Sequence, residues 1–192
     1  MAYEIEINDN FQNAYIEIIV KYAKELGQPV RILDLGSDEL NPLLVKQLQC
    51  EGIDFRVAKL APDKMLQGLE RVLSDNSFDM VIGNRPNSRI SDYQKLAGES
   101  ARVLRPGGYH IINEIQVEWA NPTAKRENVA MEQTQRRILN EVEGELDKVL
   151  SHIYPIYSAI YFFRTEERNP EQTLQNGDVV KDVIMVHRKG AP

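Results

Sequence analysis

The chain has 192 residues, 42 % apolar and 27 % charged, which leaves room for one ordinary domain and excludes bulk disorder. Acidic residues outnumber basic ones, 29 to 23, for a formal charge of -6, so neither a nucleic-acid partner nor binding to an anionic membrane is expected. The single cysteine, Cys50, rules out an intrachain disulfide and a cysteine-built metal centre.

No apolar run reaches the ~18 residues of a membrane span. The opening MAYEIEINDN lacks the basic start and apolar stretch of an export signal, so a cytoplasmic protein is expected. A single unit over 1–192 is expected too: an arm and helix over 1–28, a core over 29–116, and a long helix with a final strand pair over 117–192.

Tyr3, Ile5 and Ile7 alternate with Glu4 and Glu6, the pattern of a short edge strand or arm. Phe11, Tyr15, Ile18, Ile19, Tyr22 and Leu26 then share one helical face, with Asp9 or Asn10 as cap and Gly27 and Pro29 as stop. Val30 to Gly36 reads as a buried strand running into a turn. Asn41 and Pro42 suit the start of a helix carrying Leu43, Leu44 and Leu48. Ile53 to Ala58 is a second strand, and residues 60–77 fit neither period well.

Phe78 to Ile82 is the next strand. Ser91 can cap a helix bearing Tyr93, Leu96, Ala97, Ala101 and Leu104, which Pro106-Gly107-Gly108 should end before a strand over Tyr109–Ile115. A long helix over Thr123–Leu150 follows, with its alternating charges from Lys125 to Lys148 on the solvated face. Two strands near Ile153–Arg164 and Val179–His187 flank the turn signal Asn176-Gly177. The aromatic run Tyr154, Tyr157, Tyr161, Phe162 and Phe163 suits a half-buried strand better than the floor of a pocket.

This alternation predicts an α/β Rossmann-like fold, with a central, mostly parallel sheet and an antiparallel C-terminal strand pair. Ligands of such sheets bind at the carboxyl ends of the strands, where strand order reverses. Here those ends are Gly36–Leu40, Lys59–Asp63 and Gly83–Ser88.

Three blocks carry a family resemblance: Arg31-Ile-Leu-Asp-Leu-Gly-Ser37, Ser77-Phe-Asp-Met-Val-Ile82 and Ala101-Arg-Val-Leu-Arg-Pro-Gly-Gly108. In order and spacing the chain resembles the class I S-adenosylmethionine-dependent methyltransferases. The resemblance implies S-adenosylmethionine as cofactor, held around Asp34, Gly36, Ser37, Asp38, Lys59, Leu60 and Asn84. It singles out no catalytic residue.

The chain also departs from that pattern. Asp38 and Leu40 stand where the family places further glycines of the loop after its first strand. Asp38 and Glu39 have an ordinary use as well, favouring the start of the helix that follows. Lys59 stands where the family has an acidic residue that accepts hydrogen bonds from both ribose hydroxyls, and an ammonium only donates. Asp63, a turn further on, is a weaker substitute. The span Leu60–Ser77 is short for the helix, strand and helix that the family fits there, so the fold is expected to be shortened between its second and fourth strands, with at most a stub near Leu69–Leu73. Asn84-Arg-Pro-Asn87 only faintly resembles the Asn-Pro-Pro-aromatic motif of amino-group methyltransferases.

Other chemistries find little support. Glycine-rich phosphate loops and a nucleophile elbow are absent. His110, His152 and His187 lie far apart in sequence without metal-ligand spacing, so each is read as structural or surface and no metal is expected. Two functions follow: a small-molecule methyltransferase with a degenerate cofactor site, or a catalytically silent module of that fold serving a protein partner. A weaker third is another ligand, an anion drawn to Lys59.

Overall fold

The computed structural model of the chain describes residues 4–6, 11–35, 42–60, 73–84, 93–118, 153, 156–164 and 179–190. In chain order these form β1 (Glu4–Glu6), α1 (Phe11–Lys24), β2 (Val30–Asp34), α2 (Pro42–Cys50), β3 (Phe55–Lys59), β4 (Phe78–Asn84), α3 (Tyr93–Val103), β5 (Leu104–Glu118), β6 (Ile156–Arg164) and β7 (Val179–Arg188). The caps proposed at Asp9, Asn10, Asn41 and Ser91 lie outside the described residues. So do the helix over 123–150, the Asn176-Gly177 turn, His152 and Tyr154.

One sheet in the order β1-β6-β7-β5-β4-β2-β3 runs through the molecule. β3, β2, β4 and β5 are parallel neighbours, and β7 lies antiparallel between β5 and β6. This is the expected mostly parallel α/β sheet with its antiparallel C-terminal pair. That pair does not end the sheet, because β1 adds to β6 in parallel and forms the edge strand that its alternation suggested. Among the described residues no strand lies between β3 and β4.

Strand alternation divides the core into two layers. Val30, Ile32, Met80, Ile82, Tyr109, Ile111, Ile184 and Val186 face α1 and α2, while Leu33, Val81, Leu104, Ile112, Val183 and Met185 pack with Leu96 and Ala97 of α3 on the other face. Each fully buried Ile or Leu contributes about 1.5–3 kcal/mol through apolar burial. α1 buries more than the predicted stripe: Ala14, Ile16, Val20 and Ala23 are also buried. A helix between a sheet and a second helix has little surface left for solvent, and α1 packs against both α2 and β5.

The Pro106-Gly107-Gly108 run corrects an expectation. α3 ends at Val103 and β5 begins at once with Leu104, so the run lies inside the strand instead of separating it from the helix. It is absorbed as a bulge, in which Phe78 pairs with Leu104 but Met80 already pairs with Tyr109. Gly107 takes φ +78°, and a Cβ on Gly108 would stand 2.6 Å from the Asp79 carbonyl oxygen, so the bulge needs both glycines. Gly107 N–H donates to the Lys189 carbonyl (2.8 Å) and Lys189 N–H to that of Gly108 (2.9 Å), tying the end of β7 to the bulge.

The amino end of the sheet is held by charge. Asp79 in β4 is 2 % exposed and accepts hydrogen bonds from Arg31 of β2: backbone N–H at 2.7 Å, Nε at 3.0 Å and Nη2 at 3.1 Å. Arg105 Nε forms an ion pair with the same carboxylate at 2.5 Å. Burial works against the charged carboxylate, but the Arg31 hydrogen bonds and the nearby Arg105 outweigh it and hold Asp79 below the usual carboxylate range.

Candidate functional site

At its carboxyl end the sheet has a switch point. β2 lies between β3 on one side and β4 on the other, so the chain leaves β2 outward to β3 and returns across it to β4. Two backbone hydrogen bonds tie the three strand ends together. Leu35 N–H donates to the Ile82 carbonyl (2.8 Å), and Leu60 N–H donates to the Asp34 carbonyl (3.0 Å).

Asp34 and Lys59 are direct register partners, and Asp34 is also level with Ile82 of β4. Neighbouring parallel strands run about 4.8 Å apart, which sets the spacing of the two backbones. Both residues follow the alternation of Ile32 and Val57, whose side chains belong to the layer beneath α1 and α2, so they leave the sheet on that same face. Asp34 is 7 % exposed, while Lys59 is exposed to solvent. An acidic and a basic side chain thus share the rim, the base outermost.

Leu60 is partly buried and packs against the opposite layer, beneath the rim. Gly83 pairs with Ile112 and Asn84 with Asn113, which sets the end of β4 beside Asp34. Gly36, Ser37 and Asp38, with the rest of 36–41, lie outside the described residues, as do Asp63, Leu69 and Arg85–Asn87. Of the seven residues singled out, Asp34, Lys59, Leu60 and Asn84 are therefore brought to one edge.

Two buried polar features escaped the sequence reading. Asn113, 1 % exposed, sits level with Asn84 one strand from the switch point. Its signal was a lone amide after the apolar pair Ile111-Ile112. His110 and His187, far apart in sequence, are register partners across β5 and β7 and are buried at 2 % and 0 % exposure. Burial holds both imidazoles neutral, His110 pushed down to about 3, with His187 adding to the effect, and His187 to about 4. Among the described residues no group of three or more His, Cys, Asp or Glu could hold a metal ion. No helix among them is long and apolar enough to cross a membrane.

The family described as methyltransferase domain matches residues 19–112, the stretch from α1 to the middle of β5 that contains this edge. A search of curated proteins finds no match. Solved structures show the same fold at low sequence identity. Phosphoethanolamine N-methyltransferase 2 of Haemonchus contortus, solved with phosphomonomethylethanolamine and S-adenosylhomocysteine, has a TM-score of 0.59 at 16 % identity, covering 96 % of this chain and 55 % of that one. An arsenic(III) S-adenosylmethionine methyltransferase of Chlamydomonas reinhardtii has a TM-score of 0.54 at 16 % identity, covering 92 % of this chain and 74 % of that one. The YcgJ protein of Bacillus subtilis has a TM-score of 0.54 at 15 % identity, covering 94 % of this chain and all of that one. This chain thus spans about half the length of the Haemonchus enzyme.

Proposed function

We propose that this chain is an S-adenosylmethionine-dependent methyltransferase-like protein acting on a small molecule through an eroded cofactor site; the match of the methyltransferase-domain family to residues 19–112 and the fold shared with solved methyltransferases support the reading. Methyl transfer asks chiefly that a donor carbon and a nucleophile be held in line. When bound, S-adenosylmethionine supplies an electrophilic methyl group; the residues of this chain have to hold its amino-acid, ribose and adenine parts.

Their fit to that group is incomplete. The switch-point edge, its strand ends tied by backbone hydrogen bonds, supports the reading of an adenosyl site there. The observation that carries the proposal is the register pair Asp34–Lys59. It sets a donor-only ammonium at the end of β3, which supports erosion if the ribose hydroxyls, which need an acceptor, meet the protein as the resemblance implies. Losing two such hydrogen bonds costs about 1–3 kcal/mol, or roughly tenfold to a hundredfold in affinity.

Lys59 also favours a second reading, a catalytically silent module with a protein partner, and Asp38 and Leu40 in place of family glycines favour it further. Titration calorimetry with S-adenosylhomocysteine separates the two. Measurable but weak binding supports the eroded enzyme, whereas no heat at millimolar ligand supports the silent module. Tight, low-micromolar binding would sink the silent module and the erosion of the site, and would leave a methyltransferase with an intact cofactor site.

A further inference from the structure

The amino end of the sheet carries more positive charge than its buried carboxylate uses. Arg31, Arg56, Asp79 and Arg105 are the second residues of β2, β3, β4 and β5 in turn. By strand alternation Arg31, Arg56 and Asp79 leave the sheet with Leu33, Ala58 and Val81, on the face that packs with α3. We infer that the three arginines form a binding site for a phosphate group, either the free ion or a monoester. The inference is independent of the cofactor reading, because this row lies at the opposite end of the sheet.

Asp79 accounts for two of the arginines and leaves the third. Arg31 gives its backbone N–H, Nε and Nη2 to the carboxylate, and Arg105 forms an ion pair with it through Nε. Arg56 is the direct register partner of Arg31 on the neighbouring parallel strand, and it is exposed. It forms neither a hydrogen bond nor an ion pair among the described residues. The acid nearest to it in sequence, Asp54, lies ahead of β3 and is exposed. Like charges directly opposite each other destabilise a sheet, so this arginine pair costs stability unless an anion lies against it.

The number and kind of donors point to phosphate. Three guanidiniums around one carboxylate leave two positive charges, which match the roughly -1.5 to -2 charge of a phosphate monoester at pH 7. An arginine has five N–H donors, so Arg31 and Arg105 retain donors beyond those given to Asp79, and Arg56 retains its whole fork. A carboxylate offers two acceptor oxygens, whereas a phosphate monoester offers three and can bridge several forks. The Arg31 side chain is 43 % exposed and that of Arg105 35 %, so both heads are held by Asp79 yet reach solvent. Two cations are thus fixed before the ligand arrives, and only Arg56 has to be ordered on binding.

The test is titration calorimetry of the full chain, in chloride buffer at one low salt concentration, with inorganic phosphate, methyl phosphate and acetate. It is repeated on Arg56→Gln, Arg56→Glu and Lys46→Ala, the last an exposed position on α2 across the sheet. Thermal melts first show each variant to be folded; none of them breaks the Asp79 clamp. The expected result is saturable binding of phosphate or methyl phosphate to wild type and Lys46→Ala. Binding should weaken at least tenfold in Arg56→Gln and disappear in Arg56→Glu. Tighter methyl phosphate than phosphate assigns the site to a monoester and the reverse to the free ion, and both results support it. No saturable binding at millimolar phosphate, acetate binding as tightly as phosphate, or binding unchanged in Arg56→Gln would each overturn the inference.

Discussion

Asp34 and Lys59 are direct neighbours on parallel strands at the switch point of the sheet, one buried and one exposed, both on the face beneath α1 and α2. An acid–base pair here changes what the edge can hold. The acid, Asp34, ends the first strand block, and the base, Lys59, ends the strand next to it.

The Asp79 clamp at the opposite end of the sheet is expected to support the fold. Asp79→Ala removes the acceptor of three hydrogen bonds from Arg31 and the ion-pair partner of Arg105. Breaking a buried pair costs about 3–5 kcal/mol, but the Arg31 side chain is 43 % exposed and can be hydrated, so a loss of about 2 kcal/mol is expected. Urea denaturation of the variant measures it, and a change below ~0.5 kcal/mol would show that the clamp is ornamental.

Two glycine substitutions should go in opposite directions. Gly108→Ala drives a Cβ into the Asp79 carbonyl, at 2.6 Å, and should destabilise by about 1–3 kcal/mol. Gly98 lies within α3, is exposed and has nothing within 4 Å of an added Cβ. Gly98→Ala should therefore stabilise by about 0.5–1 kcal/mol through helix propensity. Thermal melts read both, and a stabilising Gly108→Ala would contradict the bulge described at Gly107-Gly108.

Acid should weaken the fold through the histidine pair before it reaches the carboxylates. His110 and His187 titrate near 3 and 4 when folded, against an ordinary 6.5 when unfolded, so below pH 6.5 the unfolded chain binds protons that the native chain refuses. Their stabilisation is whole above that pH and declines as pH falls toward 4, by up to about 1.4 kcal/mol per unit for each. Asp79, held below its ordinary value of 3.8, loses its contribution only at lower pH. Urea midpoints at pH 7.5 and 5.5 should differ in wild type and differ about half as much in His187→Leu. Equal wild-type midpoints would show that the imidazoles are not held neutral.

How far the sequence reaches is visible in these residues. The convergence of Asp34, Lys59 and Asn84 was legible because strand–helix alternation with right-handed crossovers leaves few ways to order β2, β3 and β4. α1 was legible from its 3.6-residue phase, although its burial was underestimated because packing against α2 cannot be read from one helix. The start of β5 was not legible: Pro-Gly-Gly usually ends an element, and only the close approach of Gly108 to Asp79 makes it a bulge inside one. The contact of His110 with His187 depends on the antiparallel register of β5 and β7, which no local pattern encodes.

The position of Lys59 at the ribose is the central claim, and dissociation constants for S-adenosylhomocysteine test it most directly. Wild type, Lys59→Ala and Lys59→Asp should be titrated at one salt concentration, with folding confirmed by thermal melts. Lys59→Asp supplies the acceptor that the ribose hydroxyls lack and should bind roughly tenfold or more tightly than wild type, whereas Lys59→Ala, which supplies none, should gain less. If a folded Lys59→Asp binds no better than Lys59→Ala, Lys59 does not face the ribose and the account of this edge is wrong.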